Sequence, residues 1–146
     1  MRPGVRVYGS TFETMRGDLQ TLKLLAAAAL LFLCAACGGG MSEAERAAAE
    51  MTGGGNPARG RAAIEHYGCG TCHTIPGVRG ADALVGPPLS QVASRAYVGG
   101  VLTNSPENMM RWIRDPRAVD GLTAMPTLGV SDQDARDITS YLYTLK

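Results

Sequence analysis

The 146-residue sequence has few aromatic side chains, little net charge and no long apolar run. Phe, Trp and Tyr make up 5% of the residues, so side chains alone would fill only a thin core, and another group is expected in the interior. The formal net charge of +1 excludes a strongly electrostatic nucleic-acid binder, which would carry a basic surplus. Charged residues at 18% beside 45% apolar residues argue against a wholly disordered chain. The composition therefore fits one folded domain with tails.

The longest uncharged apolar run, residues 24–36, is too short to span a membrane. It has 13 residues, whereas a spanning helix needs about 20. Arg16 and Lys23 precede it, and a basic lead before an apolar stretch of this length is typical of a secretory signal. The lead is long for such a signal, so Met1 and Met15 both stay open as the start. We interpret residues 1–36 as a signal peptide that is removed on export.

Small residues lead into a cysteine at the end of this run, in Ala35-Ala36-Cys37. The pattern resembles the lipobox of bacterial lipoproteins, although Cys34 stands where that family usually has Leu, Val or Ile. The resemblance implies that Cys37 carries a lipid and becomes the first residue of the mature chain. Ordinary signal cleavage, with Cys37 left free, is one alternative, and a buried helix over this run is another. On the lipoprotein interpretation the protein is exported, lies in the periplasm or on the outer face of a bacterial membrane, and is held by a lipid anchor.

Residues 37–55 are rich in Gly and Ala and predict a flexible tether. Gly38–Gly40 and Gly53–Gly55 flank an Ala/Glu-rich stretch that favours a short solvated helix. A flexible segment of this length reaches about 25 Å on average. The folded domain is then expected over residues 56–146.

Downstream of the tether, apolar residues recur at helical spacing, and no stretch alternates convincingly between apolar and polar. Three helices are marked by a cap and an apolar face; they open at Asn56-Pro57, at Ser105-Pro106 and at Ser131. A further helical spacing runs from Leu89 to Tyr97 and stops at Gly99-Gly100. We predict an all-α domain of four or five short helices. Its long Gly/Pro-rich connections favour a buried cofactor.

One motif carries recognisable chemistry. Cys69-Gly70-Thr71-Cys72-His73 is C-x-x-C-H, the attachment signature of c-type haem. Residues three apart share a face of a helical turn, so the two thiols can meet both vinyl groups on one side of a porphyrin. His73 then falls beneath the iron as an axial ligand.

The same short motif has three other interpretations. A thioredoxin-like dithiol needs a βαβ setting, which the sequence does not predict. A structural zinc site needs four ligands, and the motif supplies three, with His66 poorly placed as a fourth. The spacing does not exclude a disulfide between Cys69 and Cys72. Export favours haem, since c-type maturation takes place outside the bacterial cytoplasm.

Met125 is the best candidate for a second iron ligand. The other histidine, His66, lies just before the motif, on the same side as His73. Two other methionines fall inside a predicted helix, where packing is the simpler account. Met125 instead sits in a loop, directly before Pro126 and ahead of the last helix. We therefore predict His73 and Met125 as the two axial ligands.

The order of these elements resembles class I cytochrome c: C-x-x-C-H, then Gly-Pro-x-Leu, then Trp, then Met-Pro before a final amphipathic helix. The resemblance covers residues 56–146. It implies that the carbonyl of Pro87 accepts a hydrogen bond from His73, which fixes the imidazole ring. It implies that the indole N–H of Trp112 faces a haem propionate, with a role as core anchor also open. It implies a crossing of the first and last helices, at which Gly60 permits close approach.

The function implied by this resemblance is electron transfer through one covalent haem c. His/Met ligation leaves no open iron position, so we expect no enzyme activity and no small-molecule substrate. The near-neutral charge predicts no nucleic-acid partner. The expected partners are a quinol-oxidising complex or other donor, and a terminal oxidase or other acceptor. A cytochrome subunit held permanently in a larger oxidoreductase is the alternative. Residues 104–116 are similar to cytochrome domains that serve terminal oxidases, some of them fused to oxidase subunit II. Because the sequence lacks the C-x-x-x-C copper pattern and the two transmembrane helices of that subunit, we expect from this likeness only an oxidase as a partner. A haem enzyme or gas sensor, in which Met125 detaches, is a third possibility.

Overall fold

The computed structural model describes residues 40–146 and Lys23. The signal peptide predicted over residues 1–36 and the lipidation site predicted at Cys37 lie outside the described residues. Residues Met41–Lys146 form one compact unit. Within the described part of the chain, no helix is both long and apolar enough to cross a membrane.

Residues 41–146 fold into five α-helices, two 3₁₀ turns and one small hairpin. The predicted all-α class, with four or five short helices, is confirmed. The helices are α1 (Glu43–Met51), α2 (Pro57–His66), α3 (Pro106–Arg114), α4 (Pro116–Val119) and α5 (Asp132–Leu142). The 3₁₀ turns cover Cys69–Thr71 and Val92–Ser94, and the antiparallel strands are β1 (Tyr97–Val98) and β2 (Leu102–Thr103).

Three predicted helix starts are confirmed together with their caps. The side-chain oxygens of Asn56, Ser105 and Ser131 each accept a hydrogen bond from the backbone N–H three residues further on, at 2.9, 3.2 and 3.1 Å. Each cap pairs one of the N–H groups that a helix start leaves without a partner. Proline follows the first two caps, where its missing N–H costs nothing.

The helix predicted over residues 89–97 is wrong. The segment forms only the 3₁₀ turn Val92–Ser94, because Gln91 before it is left-handed, with φ 55°. The chain then runs into β1, and Gly99 and Gly100, both with positive φ, turn it towards β2. The apolar spacing of this segment reflects a turn that buries Val92, rather than one face of a helix.

Residues 43–55 differ from the flexible tether predicted over residues 37–55. They form α1 and a short connection that contact α5. Ala48 and Thr52 are 1% and 3% exposed, and a Cβ on Gly55 would lie 2.8 Å from the Cβ of Ser140. The alanines that favour helix here also let the helix pack closely. The segment from Glu43 onward is therefore part of the folded unit.

The crossing of α2 and α5 forms the centre of the core. A Cβ on Gly60 would overlap the carbonyl of Asp137 and lie 2.9 Å from the backbone nitrogen of Ile138. Ile64 and Ile138 are fully buried beside this contact. The close approach of the two helices at Gly60, which the resemblance implied, is present.

Asp137 joins the same two helices by charge. Its buried carboxylate accepts two hydrogen bonds from the Arg59 guanidinium, at 2.7 and 3.1 Å. The Asn56 N–H and the Gln133 amide donate two more, at 2.7 and 3.0 Å. Burial opposes ionisation of Asp137, but these hydrogen bonds outweigh it and hold the pKa of the carboxyl below its usual value. The sequence did not predict this network, because its partners are 78 and 81 residues apart.

We expect Gly60→Ala to lower the free energy of unfolding by about 1–3 kcal/mol, since the added methyl can move aside only by shifting backbone. Equilibrium unfolding in guanidinium chloride, followed by circular dichroism, measures the change. Gly121→Ala is the control, because no atom lies within 4 Å of a Cβ at that position. A Gly60→Ala protein as stable as the Gly121→Ala protein would contradict the close crossing.

Asp137→Asn should lower the free energy of unfolding at pH 7 by about 1–3 kcal/mol. Because the pKa of Asp137 is lower in the folded state than in the unfolded state, its ionisation stabilises the fold at pH values above the unfolded pKa of about 4. This stabilisation is lost as the pH falls through the folded pKa. The difference in free energy of unfolding between the parent and Asp137→Asn proteins should therefore decrease on acidification from pH 7 to pH 3. Unfolding curves at both values test this, with Glu43→Gln, a change at an exposed residue of α1, as control. A gap that stays constant or widens would count against the ionised network.

Candidate functional site

Cys69, Cys72 and His73 lie on one tight turn directly after α2. The N–H groups of Cys72 and His73 both donate to the carbonyl of Cys69, at 3.2 and 3.0 Å. Gly68, with φ 69°, separates the turn from the helix. The two cysteines are free and half-buried, and burial raises the pKa of the Cys69 thiol. The turn thus presents two thiols and one imidazole from five consecutive residues.

The imidazole of His73 is held by the backbone of a second loop. Its Nδ1 lies 2.8 Å from the carbonyl oxygen of Pro87. Because a carbonyl can only accept, the ring carries its proton on Nδ1, and the lone pair of Nε2 is left for a ligand. The sequence-based pairing of Pro87 with His73 is thus present in the structure as a hydrogen bond.

Gly86 closes the space on one face of the same ring. A Cβ at this position would lie 2.7 Å from His73 Nδ1 and 3.1 Å from its Nε2. The Gly86 N–H also donates to the carbonyl of Cys72, at 2.7 Å, and the Leu89 N–H donates to the carbonyl of Thr74, at 2.8 Å. The loop that carries Pro87 is therefore joined to the motif on both sides of the proline. Gly86 belongs to the Gly-Pro signature of the sequence, but that signature did not predict its contact with the ring.

Trp112 lies on α3 and is half-buried. Its ring covers Gly99 of the hairpin, where a Cβ would come within 2.6–2.7 Å of three indole carbons. The side chain also packs against the buried core. The structure thus gives Trp112 the role of a core anchor, and the contact of its indole N–H with a propionate stays a prediction.

Met125 lies in the irregular loop between α4 and α5 and is half-buried. Its N–H donates to the hydroxyl of Thr123 at 3.2 Å. Two residues after Met125, the Thr127 hydroxyl donates to the carboxylate of Asp115 at 3.0 Å. The loop is thus held on both sides of Met125, although ligation by its sulfur stays a prediction.

The turn fits a covalently attached haem better than the alternatives. A haem c needs two free thiols and one imidazole whose Nε2 is not engaged, and Cys69, Cys72 and His73 provide them. Within residues 40–146, no group of three or more His, Cys, Asp or Glu side chains could hold a metal ion, which disfavours zinc. His66 is exposed at the end of α2, and its ring lies edge-on to that of Tyr67, with the two ring centroids 4.9 Å apart.

Comparison with known proteins agrees with this geometry. The cytochrome c family matches residues 57–146. A curated relative named cytochrome c oxidase subunit 2, from Alkalihalophilus pseudofirmus, is 33% identical over 89 residues, which is 60% of this chain and 25% of the relative. A protein of the same name from Bacillus sp. strain PS3 is 31% identical over 88 residues, which is 58% of this chain and 25% of the relative. The chain thus spans about a quarter of the length of these relatives, and no solved structure matches significantly.

Gly86→Ala tests whether the imidazole of His73 lies directly against Gly86. The added methyl would collide with the His73 ring, so we expect the Pro87 hydrogen bond to break and the protein to lose about 1–3 kcal/mol of stability. The purified variant should also retain less haem per chain, as measured by absorption against protein concentration. Gly121→Ala is again the matched control. A Gly86→Ala protein with parental haem content and parental stability would show that the ring does not sit against Gly86.

Proposed function

The chain belongs to the cytochrome c family, whose members bind haem covalently and transfer electrons, and from this premise we propose that it is a monohaem carrier. In this proposal Cys69 and Cys72 hold the porphyrin through thioether bonds. His73 and Met125 would hold its iron. Haem held in this way would supply a one-electron ferric/ferrous couple.

The observation that carries the proposal is the hydrogen bond from His73 Nδ1 to Pro87. It fixes which ring nitrogen is free, and it prevents the ring from turning away. A hydrogen bond of this kind also strengthens the electron donation of the imidazole to a metal. The two thiols stand on the same turn as the ring, so one short segment would set the position of the cofactor.

With both His73 and Met125 bound to it, the iron would have no open coordination position. Met/His ligation raises the reduction potential and suits electron transfer rather than oxygen activation. The chain therefore acts by holding the cofactor in one geometry in both oxidation states. We propose no catalytic residue and no small-molecule substrate.

Exposed apolar side chains beside the motif support contact with a protein partner. Leu84 and Val85 are each 80% exposed and lie between Asp82 and Gly86. The backbone of Asp82 forms an isolated β-bridge with Thr74, and the Gly86 N–H donates to the carbonyl of Cys72. Partners in electron transfer typically meet over small surfaces and separate quickly. The partners would be a quinol-oxidising complex or another donor, and a terminal oxidase or another acceptor.

The membrane tether in the proposal rests on the sequence before the described residues. A lipid on Cys37 would hold the exported protein on a bacterial membrane, in the periplasm or on the outer face. The helix α1 begins six residues after Cys37, and even a fully extended chain of that length spans only about 20 Å. The anchored domain would therefore stay near the bilayer instead of swinging on a long tether.

A second candidate function is that of a subunit held permanently in a larger oxidoreductase. The names of the two relatives favour it, since both are subunits of cytochrome c oxidase. Isolation in mild detergent distinguishes the candidates: a carrier is recovered alone, whereas a subunit is recovered with a fixed ratio of partner chains.

Met125→Ala tests the axial ligand. We expect loss of the far-red absorption band of Met-bound ferric haem, a lower reduction potential, and carbon monoxide binding to the reduced protein at neutral pH. Met51→Ala is the control, because Met51 is exposed on α1. An unchanged far-red band in the Met125→Ala protein would refute the assignment. Carbon monoxide binding by the parent protein would instead favour a haem enzyme or gas sensor.

A further inference from the structure

Hydrogen bonds connect the C-terminal end of the chain to the loop that holds His73. Tyr143, directly after α5, is 5% exposed, and its hydroxyl donates to the Asn104 side-chain oxygen at 2.8 Å. Burial raises the pKa of this phenol, so the hydroxyl keeps the proton that it donates at neutral pH. The carbonyl of Leu145 also accepts from the Ala93 N–H, at 3.2 Å. The tail thus contacts the 3₁₀ turn both directly and through Asn104.

Asn104 is the central residue of this connection. Its side-chain amide donates to the carbonyls of Val92 and Arg95, at 2.9 and 2.8 Å. These two carbonyls lie on the turn that follows the left-handed residue Gln91. Because Tyr143 occupies the amide oxygen, the orientation of the amide is set, and both of its donors face the turn.

Arg95 connects this turn to the loop that carries Pro87. Its guanidinium donates to the carbonyl of Pro88 and, at 3.0 Å, to the carbonyl of Ser90. Pro88 directly follows Pro87, whose carbonyl holds His73. The position of the Pro87 carbonyl therefore depends on where Arg95 is held, and the backbone of Arg95 is held by Asn104.

We propose that Tyr143 and Asn104 are positioning residues for the His73 imidazole, which set the strength of its hydrogen bond to Pro87 and thereby tune the reduction potential of the bound iron. This inference rests on the proposed ligation by His73. A tightly held acceptor makes the imidazole a stronger donor and favours the ferric state. Loosening the loop therefore raises the reduction potential. Neither residue contacts the imidazole itself.

Tyr143→Phe is the first test, because it removes only the hydroxyl. Redox titration of the haem-loaded protein should give a higher midpoint potential than that of the parent. Proton NMR of the reduced protein should show the His73 Nδ1–H exchanging with water at least several-fold faster. Asn104→Leu, which removes both amide donors at similar side-chain size, should shift both readouts in the same direction and further.

Tyr67→Phe is the matched control. It removes a phenol hydrogen bond of equal length, 2.8 Å, but that bond goes to Asp134 of α5, whereas the Tyr143 hydroxyl bonds to Asn104. The control should keep the parental potential and exchange rate even if it loses stability. Shifts of equal size in Tyr67→Phe and Tyr143→Phe would overturn the inference, because they would reflect loosened packing alone. Unchanged potential and exchange in the Tyr143→Phe and Asn104→Leu proteins would overturn it as well.

The two proposals fail in distinguishable ways. A parent protein without the spectrum of a His-bound c-type haem contradicts the proposed function, and with it this inference. A parent protein with that spectrum, whose Tyr143→Phe variant matches Tyr67→Phe in both readouts, contradicts only the positioning role of Tyr143 and Asn104.

Discussion

The hydrogen bond between His73 and the carbonyl of Pro87 is the interaction on which the site depends. It joins the turn after α2 to a loop that has no helix or strand of its own around the proline. A side chain at position 86 would overlap the imidazole ring, so only glycine fits there. The Arg95 guanidinium donates to the carbonyl of Pro88 in this loop, and the Asn104 amide donates to the carbonyl of Arg95. Residues from two irregular segments thus help to orient one imidazole.

The helices supply the frame for this arrangement. α2 and α5 cross at Gly60 and are joined by the hydrogen bonds of Asp137, so the segment that leads into the motif has a fixed direction. With few aromatic residues, the buried core is built mainly from small aliphatic side chains. A covalently held porphyrin, in this proposal, would complete an interior that side chains alone fill only thinly.

Local signals in the sequence were sufficient for the three capped helices and the motif. The caps at Asn56, Ser105 and Ser131 bond to residues only three positions away, so the residue types in the sequence are enough to predict them. The segment from residue 89 to 97 was misread, because one left-handed residue outweighs a helical apolar spacing. The Asp137 network and the bond between Asn104 and Tyr143 join residues far apart in the chain, and no local pattern reveals such pairs. The docking of α1 was missed for the same reason, since it depends on the surface of α5.

Intact-mass spectrometry of the mature protein, before and after treatment with an alkylating reagent, tests the central claim most directly. We predict a chain heavier than its polypeptide by the mass of one haem, beyond the mass of the lipid proposed on Cys37, with no alkylation at Cys69 or Cys72. A purified, folded protein without the added mass of a haem, in which both of these thiols take up the reagent, would contradict this prediction.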